Sequence, residues 1–194
     1  MSAAPLPEPP RLVLLFSGHR VDAPGRAPPR FPAAKVAAAA AAIEGVLDEL
    51  SAGADDLALT QGSAGGDLLF AEACLRRGVH LRLLLPLAEP AFVRTSVATS
   101  ADGARWVERF RAVRDALAEP PRVLDSAASD DGVDRFERCN EWLLETALAW
   151  GAERLRFVCL WDGGPSDGAG GTGHLVESVR RLGQPVAWVD ARRL

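Results

Sequence analysis

Apolar residues run through this chain in two rhythms. Short unbroken runs, bounded by Gly, Pro or Asp, occur at Arg11 to Ser17, Leu57 to Thr60, Val79 to Leu85, Leu155 to Trp161 and Pro185 to Val189. Runs of that length without polar alternation predict strands covered on both faces. Between them, apolar residues return at helical spacing. Ala33 to Leu50 carries Val36, Ile43, Val46, Leu47 and Leu50, and Leu68 to Arg77 ends at Gly78 as a C-cap glycine would end it. Further helices are expected over Asp102 to Ala118 and Val133 to Trp150, the latter with Phe136, Cys139, Leu143, Leu144 and Ala147 on one face, and up to Leu182 at the end. Arg122 to Leu124 reads as a short strand, and the stretch after Pro86 as a Glu/Pro-rich connection. Strand–helix alternation of this kind predicts an α/β fold: a single Rossmann-like domain, its mostly parallel sheet of about six strands covered by helices on both faces. The domain is expected over 11–194, after a disordered tail at 1–10.

Composition narrows what such a domain could do. Of 194 residues, 48% are hydrophobic and 25% charged, which excludes a disordered chain, a collagen and a disulfide scaffold. A net charge of −4 argues against a dedicated nucleic-acid binder but leaves room for a small anion held by local groups. Cys74, Cys139 and Cys159 are odd in number and lack CxxC spacing, so they read as reduced thiols packed in the core of a cytoplasmic protein. No window approaches the roughly 20 apolar residues of a membrane span, and the N-terminus lacks a secretory pattern, so no membrane partner is expected. His19, His80 and His174 show no metal-ligand spacing, so no metal is expected. One lysine, Lys35, among many arginines and alanines points to a high-GC bacterial coding bias.

Chemistry is expected at the carboxyl ends of the strands, where open α/β sheets bind ligands. Three strand ends carry unusual sequence: Ser17-Gly18-His19-Arg20, then Gln61 to Asp67, then Trp161 to Pro165 leading to Gly170 through Glu177. Glycines before a helix let backbone N–H groups approach an anion at the positive end of the helix dipole. Neither GxGxxG after the first strand nor GxxxxGK[ST] is present, which argues against an ordinary NAD(P) dehydrogenase and a P-loop NTPase. Arg20 is a candidate phosphate contact or the partner of Asp22, and Arg26 and Arg30 sit in a loop long enough to act as a binding lid. Asp67 could cap its helix or touch a ribose. Asp162 could meet ligand or organise a turn, Asn140 is a further candidate, and Trp161 could stack a base or pack in the core.

The segment Gly170-Gly171-Thr172-Gly173-His174-Leu175-Val176-Glu177 resembles the GGxGTxxE motif of the LOG phosphoribohydrolases, once described as lysine decarboxylases, with His174 where that family has threonine. Gly18-His19-Arg20, and Gly62-Ser63-Ala64-Gly65-Gly66-Asp67 leading to Ala71-Glu72-Ala73, are similar to the wider SLOG superfamily. That superfamily groups LOG enzymes, the DNA-processing protein A and bacterial modules, often joined to tetratricopeptide repeats, proposed to sense or process nucleotide-derived signals. The resemblance spans Arg11 to Asp190 and is nearest to those modules. It implies a nucleotide at the sheet edge, its phosphate on Gly62–Gly66 and Gly170–Gly173 with Arg20 as counter-charge, within reach of Gly18, His19, Arg26, Asp67, Asp162, Thr172 and His174. No cofactor is implied, and a homodimer or association with signalling partners is compatible with it. The enzymatic alternative is hydrolysis of a nucleoside 5′-monophosphate to base and ribose 5-phosphate, with Glu177 as catalytic carboxylate; a third is a protein-interaction scaffold with a decayed pocket. The arginine–lysine pair of LOG enzymes has no counterpart in register around Arg76-Arg77, so binding is implied more directly than cleavage.

Overall fold

The computed structural model describes residues 9–125, 132–165 and 170–194; most of the expected tail lies outside them. Six strands form one sheet: β1 (Val13–Gly18), β2 (Leu57–Thr60), β3 (His80–Leu85), β4 (Arg122–Val123), β5 (Leu155–Trp161) and β6 (Val186–Asp190). Their order is β4-β3-β2-β1-β5-β6, and every neighbouring pair is parallel. β1 is central because its apolar run is flanked on both sides, Val13 standing opposite Leu57 on β2 and opposite Leu155 on β5. The chain first builds outward from β1 to β4, then returns to lay β5 on the other side of β1. That reversal opens a crevice between the carboxyl ends of β1 and β5.

Side chains alternate across the sheet and divide its core in two. Leu14, Phe16, Ala58, Leu83 and Leu160 pack under α1 (Val36–Glu49), α2 (Gly66–Arg76) and the later α4 (Gly103–Ala116). Val13, Leu15, Leu59, Phe157 and Cys159 pack under α5 (Arg135–Leu148) and α6 (Thr172–Arg181). Asp134 caps α5, accepting hydrogen bonds from Phe136 N–H and Glu137 N–H, so the helix begins two residues later than its apolar pattern alone suggests. All three cysteines are buried and free, and burial raises the Cys139 and Cys159 thiols to about 12, which makes them packing groups and poor nucleophiles.

The Glu/Pro-rich connection is helical, contrary to its reading as irregular chain. α3 (Glu89–Phe92) runs into a π-helical turn at Val93–Val97, and fully buried Phe92 and Val97 anchor the segment in the α2/α4 layer. Its apolar residues are too few to show helical period, and Pro90 masks the start. Pro is compatible with a helix at that first-turn position because the first N–H groups need no intrahelical acceptor.

The start of α2 lies directly against the loop leaving β1. A Cβ on Gly66 would stand 3.0 Å from Gly18 Cα, and a Cβ on Gly65, whose φ is +118°, would stand 2.6 Å from His19 O and 2.7 Å from Val21 N. Val21 N donates to Ala64 O and Gly66 N to His19 O, so two backbone segments touch with nothing between them. Replacing Gly65 with alanine therefore adds a steric collision to an unfavourable φ and should cost about 3 kcal/mol or more in urea unfolding. Gly78→Ala, where φ is +72° and the space around the missing Cβ is open, should cost only about 1 kcal/mol. Equal losses at the two positions would refute the close-contact account.

Candidate functional site

The crevice at the β1/β5 reversal is a cleft of about 460 Å³. The end of β1 lines it with Ser17 and Gly18, the residues that follow with His19 and Arg20, and the long loop beyond adds Asp22, Arg26 and Arg30. The loop after β2 contributes Gln61 and Ser63, and α2 contributes Asp67. The π-helical turn and the residues after it add Thr95, Ser96, Thr99 and Ser100. Gly170, Gly171 and Thr172 close the far side with Phe136, Asn140 and Leu143 of α5. Hydroxyls and arginines dominate the polar part of this lining, the equipment of a site for an oxygen-rich anion.

α6 begins at Gly171 without a side-chain cap. Thr172, at its first position and 7% exposed, brings Oγ1 to 3.1 Å from Ser17 Oγ. Two hydroxyls thus meet at an uncapped helix start, whose first N–H groups and dipole favour negative charge. The approach of the chain to this point is set by a buried amide relay. Gln61 Nε2 donates to Asn140 Oδ1 at 2.8 Å, and Asn140 Nδ2 donates to Gly170 O at 2.6 Å. Gly170 has φ +78° and leaves no room for a side chain, since a Cβ would stand 2.5 Å from Glu137 N. Its glycine is required by packing on the start of α5.

The start of α2 is occupied by its own acid. Asp67 Oδ1 accepts from Gly18 N–H at 3.1 Å, while Oδ2 accepts from Ser63 N–H at 3.2 Å and from Ser63 Oγ at 2.6 Å. These bonds lock the β1 loop, the β2 loop and α2 together and satisfy donors that a phosphate would otherwise use. Burial raises the Asp67 pKa to about 6 against the opposing effect of the hydrogen bonds from Ser63, Gly18 and Gly62. Gly62, Ala64, Gly65 and Gly66 do not line the cleft; their compactness serves the contact with β1 and, for Gly62, packing on Leu83 and Phe110. The two glycine-rich loops expected to share one phosphate are therefore unlike in role.

Asp162, just past β5, organises its own turn and holds the long loop. Its carboxylate accepts from Gly164 N–H at 2.9 Å and from Arg30 Nε at 3.2 Å, and its N–H donates to His19 Nε2 at 3.0 Å. Burial opposes ionisation, but the bonds from Gly164 and Arg30 and the adjacent His19 outweigh it and hold the carboxyl at about 2. The loop from Val21 to Pro32 is further closed at its base. Asp22 accepts from Arg30 N–H and Phe31 N–H, Asp22 N–H donates to Phe31 O, Arg26 lies 3.4 Å from Asp22, and the Phe31 ring is fully buried. Arg20 does not pair with Asp22; it donates to Thr95 O at 2.9 Å.

Of the remaining candidates, Gly173 is buried in α6, His174 faces Glu137 at 3.5 Å, and Glu177 is exposed; none of the three lines the cleft. Trp161 donates to Gly164 O and packs against Trp188, also away from the cleft. The hydroxyl row from Thr95 to Ser100 is part of the lining that sequence reasoning missed. Its only signal was a cluster of Ser and Thr in a segment read as a connector. No helix among the described residues is long and apolar enough to cross a membrane, and no group of three or more His, Cys, Asp or Glu among them could hold a metal ion. No family model matches the chain, and no curated protein matches it.

The Asp67 geometry has a pH signature. A carboxyl whose pKa is raised on folding favours the folded state most at low pH, and that advantage is lost as pH rises through about 6. The stability of wild type relative to Asp67→Asn should therefore fall between pH 4 and 7, by up to about 3 kcal/mol. Parallel pH profiles in denaturant titrations would show that Asp67 is not buried as described.

Proposed function

We propose that the chain binds a nucleotide, or a signal derived from one, in the cleft at the β1/β5 reversal. The observation that carries this reading is the uncapped start of α6, where Thr172 and Ser17 hydroxyls stand 3.1 Å apart on the wall of the cleft. A phosphate placed there accepts from the first N–H groups of α6 and from both hydroxyls. Phe136 and Leu143 offer an apolar surface for a base, and the Gln61–Asn140 pair lies beside it with polar groups able to read a base edge. The order of glycine motifs that resembles the SLOG superfamily supports the same reading.

Hydrolysis of the glycosidic bond receives no comparable support. A catalytic carboxylate must reach the anomeric carbon, and Glu177 is exposed on α6, off the cleft wall. Among the described residues the carboxylates on that wall are Asp22 and Asp67, both engaged with backbone N–H groups. The cleft accordingly supports binding more than cleavage.

Mass spectrometry of small molecules released from the gently denatured protein should detect a nucleotide, and calorimetry should show that Thr172→Val weakens its binding about tenfold or more. That is the loss expected for one hydrogen bond to a charged group. Glu177→Gln should leave affinity within twofold, and neither protein should release free base over hours in a chromatographic assay. Unchanged affinity in Thr172→Val would exclude the α6 phosphate site. Base release by wild type that is lost in Glu177→Gln would replace the binding reading with the phosphoribohydrolase.

A further inference from the structure

The cleft has a second polar end on the other face of the sheet. Ser17 lies in register with Val13 and Leu15, whose side chains pack under α5 and α6, and it meets Thr172 there. Arg20 lies beyond the strand on the opposite side, where it bridges Gly65 of the α2 loop and its guanidinium donates to Thr95 O of the π-helical turn. That turn belongs to the α2/α4 layer through Phe92 and Val97 and is fixed by the bond from Ala64 N–H to Ser96 O.

Two features of this end call for a ligand. Arg20, which lines the cleft, has no ion pair with an acidic residue among the described residues, and its guanidinium donates to a backbone carbonyl alone. Ser100 is only 5% exposed, yet it lines the cleft. Ser96, 1% exposed, has for its Oγ only a 3.5 Å contact with Thr95 Oγ1. Hydroxyls on a cleft wall beside a guanidinium that has no carboxylate partner are donors suited to an anion. A π-helical turn is itself uncommon and recurs at functional sites.

We infer that Arg20, Ser96 and Ser100 form a second anion subsite, and that the ligand carries two phosphates, as a nucleoside 5′-diphosphate does. This rests on the proposed nucleotide site and extends it. A phosphate at the α6 start lies on the face of β1 that carries Ser17, whereas Arg20 and Ser96 stand with the α2/α4 layer, so a second phosphate is the group that fills that end.

The test is calorimetric titration of the full chain with the four ribonucleoside 5′-monophosphates and their diphosphates. At least one diphosphate should bind tenfold or more tighter than its monophosphate, equivalent to about 1.4 kcal/mol. Arg20→Ala and Ser100→Ala should each reduce that ratio to threefold or less. Arg94→Ala, which removes a neighbouring exposed charge outside the cleft lining, should preserve it. Equal affinity for mono- and diphosphate would overturn the second subsite and leave the nucleotide site standing, as would a tenfold ratio that survives both cleft variants. Binding of neither series would overturn the nucleotide reading and the second subsite together.

Discussion

The shape of the cleft depends on the contact between two pieces of backbone, the loop leaving β1 and the start of α2. At Gly18, Gly65 and Gly66 there is no space for a Cβ, and the segments are stitched by Val21 N–H to Ala64 O and Gly66 N–H to His19 O. Asp67 completes the joint by accepting from Gly18 N–H and from Ser63 on both sides of it. Because the joint is rigid and close, Ser17 is presented to α6 and Arg20 to the π-helical turn, on opposite faces of the same strand end. A single side chain inserted at this point would move both walls of the cleft.

The same joint explains why the two glycine-rich loops divide their labour. Asp67 supplies a carboxyl group in the first turn of α2, at the positive end of the helix dipole, and that group is already engaged by Gly18 N–H and Ser63. α6 has no acidic residue in its first turn and no capping side chain. An anion entering the cleft therefore meets one helix start that is neutralised and one that is open. The two helix starts differ in what they offer to a negative charge, which the glycine pattern alone does not reveal.

The loop from Val21 to Pro32 shows how an arginine-rich segment can be positioned without becoming loose. Phe31 is buried as an anchor, Asp22 gathers the backbone N–H groups of Arg30 and Phe31, and Asp162 holds the Arg30 side chain across the cleft edge. These contacts join the ends of β1 and β5 through side chains as well as through the strand ladder. The cleft rim thus acts as a unit with the sheet below it.

The pattern of apolar runs and helical spacings was sufficient by itself for six strands, the order of strand and helix, and a parallel sheet covered on both faces, because burial on two faces leaves a direct trace in hydrophobicity. It was sufficient also to bring Gly18, Arg20, Ser63, Asp67 and Thr172 forward as strand-end residues. What it could not carry was which of these share a surface. Gly62 and Gly65 read as cradle glycines, yet a Cβ would press on the Leu83 side chain at the first and collide with the backbone of His19 and Val21 at the second. Those atoms lie on elements far away in sequence. Thr95, Ser96 and Ser100 carried no periodic signal and became part of the cleft only when Phe92 and Val97 were buried under α2 and α4. Periodicity records whether a residue is buried. Which residues meet across a strand end is decided by non-local packing, which no window of local sequence contains.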